Sequence, residues 1–170
     1  MFNRTKYNGA ILALDTASAK TGYAIYSNDK IIKSGTWSLK PKIRFADLYN
    51  KISNAITKYN ITQMVVEDIF KDDSKKNAYE VLAECRGVVE CIAQLNELPV
   101  FFIRPMVIKR HICNIRYNPA KEYDYKQIMI DRITKLGYKL ENQKANDEAD
   151  AIGLLITYID THKYSLVHPK

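Results

Sequence analysis

The chain has 170 residues, 46% of them hydrophobic, which is enough for one ordinary domain with its own core and too apolar for disorder. Lys and Arg outnumber Asp and Glu by 26 to 19, and the resulting charge of +7 favours a polyanionic partner, although a basic surface alone is weak grounds. No apolar run approaches a membrane span, the run 11–14 is too short for an export signal, and the three cysteines make no Cys-x-x-Cys pair, so the expectation is a cytoplasmic chain with free, buried thiols and no membrane partner.

In chain order, residues 11–15 read as a short aliphatic strand. Residues 21–26 are β-prone, 27–30 are turn-forming, and 31–37 read as a third strand, which together predict an antiparallel meander. Pro41 opens a helix to about residue 59, with Ile43, Leu48, Ile52 and Ile56 near helical spacing. A fourth strand follows at 61–66. A long helix at 75–98 places Ala78, Val81, Leu82, Cys85, Val89, Ile92 and Leu95 on one stripe. A fifth strand at 99–103 precedes helical patterns at 106–113, 124–136 and 147–160. The expected fold is α/β: a mixed five-stranded sheet, three antiparallel strands then two parallel, flanked by helices in a single domain over 1–170. Gly87, inside the long helix, costs about 1 kcal/mol relative to Ala. Its presence predicts a close backbone approach, from the sheet beneath or from a second subunit.

The acids carry the chemistry. Asp15 ends the first strand and shares a face with Ile11 and Ala13 by the two-residue period. Alone, it reads first as a turn-forming or helix-capping residue at a strand exit. Glu67 ends the fourth strand on the face of Val65. Asp68 is its rival, because a one-residue register slip exchanges them. Asp147 and Asp150 lie three apart on one helix face, where acids also serve as ordinary N-terminal caps; Glu148 points elsewhere around the helix. If the three segments converge, the carboxylates repel one another, and a divalent cation offsets that repulsion. Oxygen ligands without clustered His or Cys select Mg²⁺ or Mn²⁺ over zinc, and two such ions suit phosphodiester hydrolysis.

Phe70, followed by Lys71, Lys75 and Lys76, offers an aromatic for stacking on an unpaired base and cations for phosphates. A core Phe at a helix start accounts for the same residues. The stretch 114–125 interleaves Arg116, Lys121 and the tyrosines 117, 123 and 125, and reads either as a solvated loop or as a DNA contact.

The order of these segments resembles the RuvC family of Holliday-junction resolvases over nearly the whole chain. Asp15-Thr16-Ala17-Ser18 followed by Thr21-Gly22-Tyr23 is similar to the family's Asp-Pro-Gly-Ser and Thr-Gly-Tyr, with Thr16 and Ala17 in place of Pro-Gly. Val66-Glu67-Asp68-Ile69-Phe70 resembles its second motif. Cys85-Arg86-Gly87-Val88 resembles its Ala-Arg-Gly segment, and Leu98-Pro99-Val100 with residues 105–109 fits in order and spacing. Asp147-Glu148-Ala149-Asp150-Ala151 resembles the closing Asp-x-Ala-Asp-Ala. The resemblance implies an RNase H-like fold. It implies catalytic, metal-binding acids at Asp15, Glu67, Asp147 and Asp150, and basic site residues at Lys109 and Lys126. It further implies a homodimer through the long helix, and Holliday junctions as substrate, with three-way junctions, flaps or forks as expected additions. The Lys-, Asn-, Ile- and Tyr-rich composition suggests a bacteriophage member.

Two other classes compete. A RuvC-like nucleic-acid-binding module without cleavage is disfavoured by retention of all four acids. An actin-like ATPase or sugar kinase needs two such lobes, for which 170 residues are too few, and no Walker-type phosphate loop occurs.

Overall fold

The computed structural model describes residues 9–69, 76–114, 123–141 and 145–162, the side chains of 76–78 excepted. Phe70, Lys71 and Lys75, the Lys76 side chain and residues 115–122 therefore lie outside the described residues.

Strand β1 (Ala10–Thr16) pairs antiparallel with β2 (Lys20–Ser27), which pairs antiparallel with β3 (Lys30–Ser38). The β2–β3 turn is made by Asn28 and Asp29, with φ of 51° and 62°. Two successive positive φ values suit a two-residue hairpin, and Asn and Asp tolerate them best after glycine. A short 3-10 turn (Pro41–Ile43) leads into helix α1 (Arg44–Tyr59), which Asn60 ends in the left-handed conformation. Strand β4 (Ile61–Glu67), helix α2 (Lys76–Leu95) and strand β5 (Val100–Ile103) follow. Helices α3 (Pro105–Cys113), α4 (Tyr125–Lys135) and α5 (Asn146–His162) complete the described chain. The sheet order is β3-β2-β1-β4-β5, with β4 parallel to both β1 and β5. This is the expected sheet.

The two-residue period divides the core. Ile11, Ala13, Ala24 and Val65 face α3, α4 and α5, packing with Ile108, Ile133, Ile152 and Leu155. Leu12, Leu14, Ile25, Met64 and Val66 face α1 and α2, packing with Leu48, Ile52, Cys85, Val89 and Ile92. The β1–β4 ladder shifts register near its start: Ala10 lies opposite Ile61, but Ile11 lies opposite Gln63. One extra residue, Thr62, is thereby accommodated in β4, and every later β4 side chain changes face relative to β1. After the shift, Ala13 stands beside Val65 and Leu14 beside Val66.

Two expectations need correction, for Cys91 and Leu95, and one of the two alternatives for Gly87 falls away. Cys91 is exposed, because only Cys85 and Cys113 point into the core. Leu95 is 66% exposed, and in the same last turn of the helix Ile92 and Ala93 are the buried residues. Gly87 does not admit the sheet: a Cβ built there meets nothing within 4 Å. Gly87 faces outward from α2, so no backbone of the described chain accounts for it.

Since an exposed mid-helix glycine weakens a helix by about 1 kcal/mol, Gly87→Ala should stabilise the isolated chain by about that amount in urea unfolding at low concentration. If the outward face is a contact between copies, the same change should weaken self-association in analytical ultracentrifugation. A variant no more stable than wild type would mean that Gly87 already meets something.

Candidate active site

Asp15 lies on β1 opposite Gly22 of β2. Continuing the β1–β4 ladder one step past Leu14 and Val66 sets Asp15 beside Glu67, at the ends of two neighbouring parallel strands. Both belong to the alternation of Ala13 and Val65, so both face α5. Gly22 explains how the helix reaches them. A Cβ at Gly22 would overlap the backbone carbonyl of Asp147. A glycine within a strand commonly marks such a close approach. Here it lets the first turn of α5 settle on β2 beside Asp15. Asp147 and Asp150, one helical turn apart, come down on the same strand ends.

The four carboxylates sense one another. By surface area Asp15, Glu67 and Asp150 are only half-buried, yet loss of water around their carboxyl groups is the leading influence on each. Burial raises Asp15 well above the carboxylate range, and Glu67, Asp150 and Asp147 push it further. Glu67 is raised to about 7 by burial and then by Asp150. Asp150 is raised to about 6 by burial and then by Asp147, with Lys109 and Lys126 opposing. Lys109 of α3 opposes the rise at Asp15 and Glu67 too, and its ammonium stands 5.0 Å from the Tyr125 ring centre. Lys109 and Lys126 thus lie in the electrostatic reach of the acids.

The other acids do not join them. Asp68 points to the opposite face of the sheet and is ion-paired to Arg86 of α2. Glu148 is buried: Ser34 Oγ donates to its Oε1 at 2.7 Å, and the Glu141 N–H donates to its Oε2 at 2.8 Å. It ties the first turn of α5 to β3 and to the chain that precedes the helix. The sequence reading missed the roles of Gly22, Arg86 and Glu148. A glycine in a β-prone run was the available sign for the first. Nothing in sequence spacing marked the other two.

The donor set suits a hard divalent cation. Its atoms are carboxylate oxygens, its charge is negative, and burial makes that charge costly without a partner. The nearby Cys113 thiol is pushed up by burial, then by Asp150, and so stays protonated and a poor ligand. Among the described residues no three His, Cys, Asp or Glu side chains are already drawn together closely enough to hold a metal ion. Glu67, Asp150 and Asp147 nevertheless all act on Asp15, and repulsion spreads carboxylates that a cation would draw together.

Comparison with known proteins agrees with this architecture. The family model for crossover junction endodeoxyribonuclease RuvC matches residues 11–158. The crossover junction endodeoxyribonuclease RuvC of Dictyoglomus thermophilum is 28% identical over 159 residues, covering 88% of this chain and 95% of that protein. That of Caldicellulosiruptor saccharolyticus is 29% identical over 158 residues, covering 88% and 91%. Among solved structures, T. thermophilus RuvC in complex with Holliday junction substrate aligns with a TM-score of 0.68 at 18% identity, covering 92% of this chain and 96% of that one. At that identity the likeness speaks to the fold, which is RNase H-like. Since the family model spans both strand-end acids and the paired acids of α5, the chain belongs to the RuvC family.

Proposed function

We propose that this chain is a divalent-metal-dependent endodeoxyribonuclease that nicks Holliday junctions and related branched DNA. The observation that carries the reading is the convergence of acids from β1, β4 and α5 at one end of the sheet, in a chain of this family. The RuvC family depends on a divalent metal. In this chain Asp15, Glu67, Asp147 and Asp150 would hold it, as Mg²⁺ or Mn²⁺. When bound, such ions stabilise charge on the phosphate and on the attacking and leaving oxygens.

The protein's own part is positioning. Asp15 and Glu67 sit on hydrogen-bonded strands with packed cores on both faces, so their separation is fixed by the sheet. Asp147 and Asp150 are fixed by the seat of α5 on Gly22. Lys109 and Lys126 offset the negative field and would take phosphate oxygens rather than read bases. Hydrolysis breaks the bond between phosphorus and the 3′ oxygen, leaving a 5′-phosphate and a 3′-hydroxyl. Phe70, with Lys71, Lys75 and Lys76, lies within nine residues after Glu67 in sequence, and we assign these residues to the unpaired bases and phosphates of a branch point. The outward face of α2 around Gly87, which nothing in the described chain covers, supports a homodimer that presents two sites to two strands. We assign residues 1–170 to one nuclease domain acting in the cytoplasm. No described helix is long and apolar enough to cross a membrane.

A gel of the purified chain with labelled four-way, three-way, flap and linear DNA, with and without Mg²⁺, tests the reading. Branched DNA should be nicked only with the metal; linear duplex cut equally fast would overturn the structural selectivity. Asp15→Asn, Glu67→Gln, Asp147→Asn and Asp150→Asn should each abolish nicking while junction binding stays intact or tightens, since each removes a negative charge facing phosphate. Full activity in any one removes that residue from the site.

The raised acids also set a pH dependence. Folded Glu67 and Asp150 keep their protons to about 7 and about 6. In the unfolded chain they release them near about pH 4. Between these limits the metal-free folded state binds more protons than the unfolded one. The cluster therefore contributes its stabilisation at low pH and loses it as pH rises through that window. In a chelator, the denaturation midpoint of Glu67→Gln should gain on wild type as pH goes from about 5 to about 8. A difference independent of pH would mean that Glu67 is not protonated in the folded site.

A further inference from the structure

Arg86 lies on α2, across the sheet from the acid cluster, and makes three contacts. Its Nη1 pairs with Asp68, its Nε donates to Glu90 Oε1 at 2.9 Å, and its guanidinium stacks on Phe102 of β5, 3.9 Å from the ring centre. Arg86 and Asp68 are 31% and 26% exposed, so their pair is less screened than an ordinary surface pair. Stacking on Phe102 and bonding to Glu90 fix the guanidinium before Asp68 meets it, which lowers the entropy cost of the pair.

The position of Asp68 gives the pair its meaning. Its backbone N–H donates to Ile103 O at 2.8 Å, continuing the β4–β5 ladder one residue past Glu67. Glu67 and Asp68 are adjacent carboxylates at a strand end, on opposite faces. One faces Asp15 and Asp150; the other faces α2. Without a partner, Asp68 would be a half-buried anion beside four more. A small twist of the strand end would carry it towards water or towards a cation, and Glu67 would move with it. Among the described residues the Arg86 pair is the polar contact between α2 and this strand end, and α2 otherwise packs on the sheet through apolar side chains.

We propose that Arg86 is a positioning residue for the metal site: by capturing Asp68 on the α2 face it holds the end of β4 so that Glu67 alone is delivered to the acid cluster. This rests on the assignment of Glu67 as a metal ligand. Arg86 does not touch the substrate or the reacting atoms. It acts through Asp68 on the strand end.

Isothermal titration of the full chain with Mn²⁺ reads this without DNA. Arg86→Met, which keeps an apolar stem against Phe102, should weaken Mn²⁺ binding about tenfold, the lower end of what loss of an outer partner costs a metal site. Asp68→Asn should bind close to wild type. The double variant Arg86→Met with Asp68→Asn should recover most of the lost affinity, because the unpaired charge is gone; a merely structural role for Arg86 predicts no such rescue. Nicking assays should follow the same order, with the loss expressed mainly as a higher metal requirement. Unchanged Mn²⁺ affinity in Arg86→Met overturns the proposal, and so does a loss that Asp68→Asn leaves unrepaired. If Arg86→Met alone does not fold, the double variant decides: near wild-type affinity supports the proposal and weak affinity overturns it. A wild-type chain that binds no Mn²⁺ sinks the metal-site reading first and this proposal with it, whereas a binding wild type with an unaffected Arg86→Met sinks only the proposal.

Discussion

Four carboxylates gathered at one end of a sheet repel, and the strands and helix that carry them are held by packed cores. Burial raises the proton affinity of Asp15, Glu67 and Asp150, and the neighbouring carboxylates, Asp147 among them, add to it. Flexible segments would let the acids drift apart into water. Here two of them are carried by hydrogen-bonded parallel strands and two by the first two turns of a helix whose buried face runs from Ala149 to Ile159. The apolar cores on both faces of the sheet therefore do more than stabilise the chain. They hold a charge arrangement that its own electrostatics oppose, and that the proposed divalent cation would turn into an attraction.

The basic surface completes this arrangement. A chain of charge +7 attracts DNA, but an acidic site repels the phosphate it must approach. Lys109 and Lys126 stand where the two requirements meet, offsetting the acids without a direct ion pair to any of them among the described contacts. Lys109 has the Tyr125 ring beside it. An ammonium that is not locked to a carboxylate keeps its donors available for a phosphate oxygen.

Much of this was legible in the sequence, for physical reasons. The period of two marked the strands, the turn residues 27–30 marked the hairpin, and helical spacing marked α1 and α5. The same period put Asp15 with Ala13 and Glu67 with Val65. Convergence of the three acid segments did not follow from spacing, since it depends on how a helix docks on a sheet, and only family resemblance supplied it. Glu148 looked like an idle member of an acidic turn. It is buried because Ser34 and the Glu141 amide, 114 and 7 residues distant in sequence, supply its hydrogen bonds. Gly87 left two neighbours open, the sheet and a second subunit, and sequence spacing could not decide that the sheet is not one of them.

The choice between Glu67 and Asp68 shows how a local irregularity can decide a distant site. With uniform pairing from Ala10 and Ile61, Asp15 would stand beside Val66, and Asp68 rather than Glu67 would share its face. The extra residue at Thr62 shifts the ladder by one, five residues before the site, and exchanges the two faces of β4. Thr62 is held where this happens, its hydroxyl donating to Ala10 O at 3.4 Å and its side chain lying where Gly9 has no Cβ to obstruct it. The register shift at one end of β4 and the Arg86 pair at the other thus act on the same binary choice. The first sets which carboxylate faces α5. The second gives the other carboxylate a stable place on the far face, so that the alternation of a single strand separates a candidate metal ligand from a structural anion one residue away.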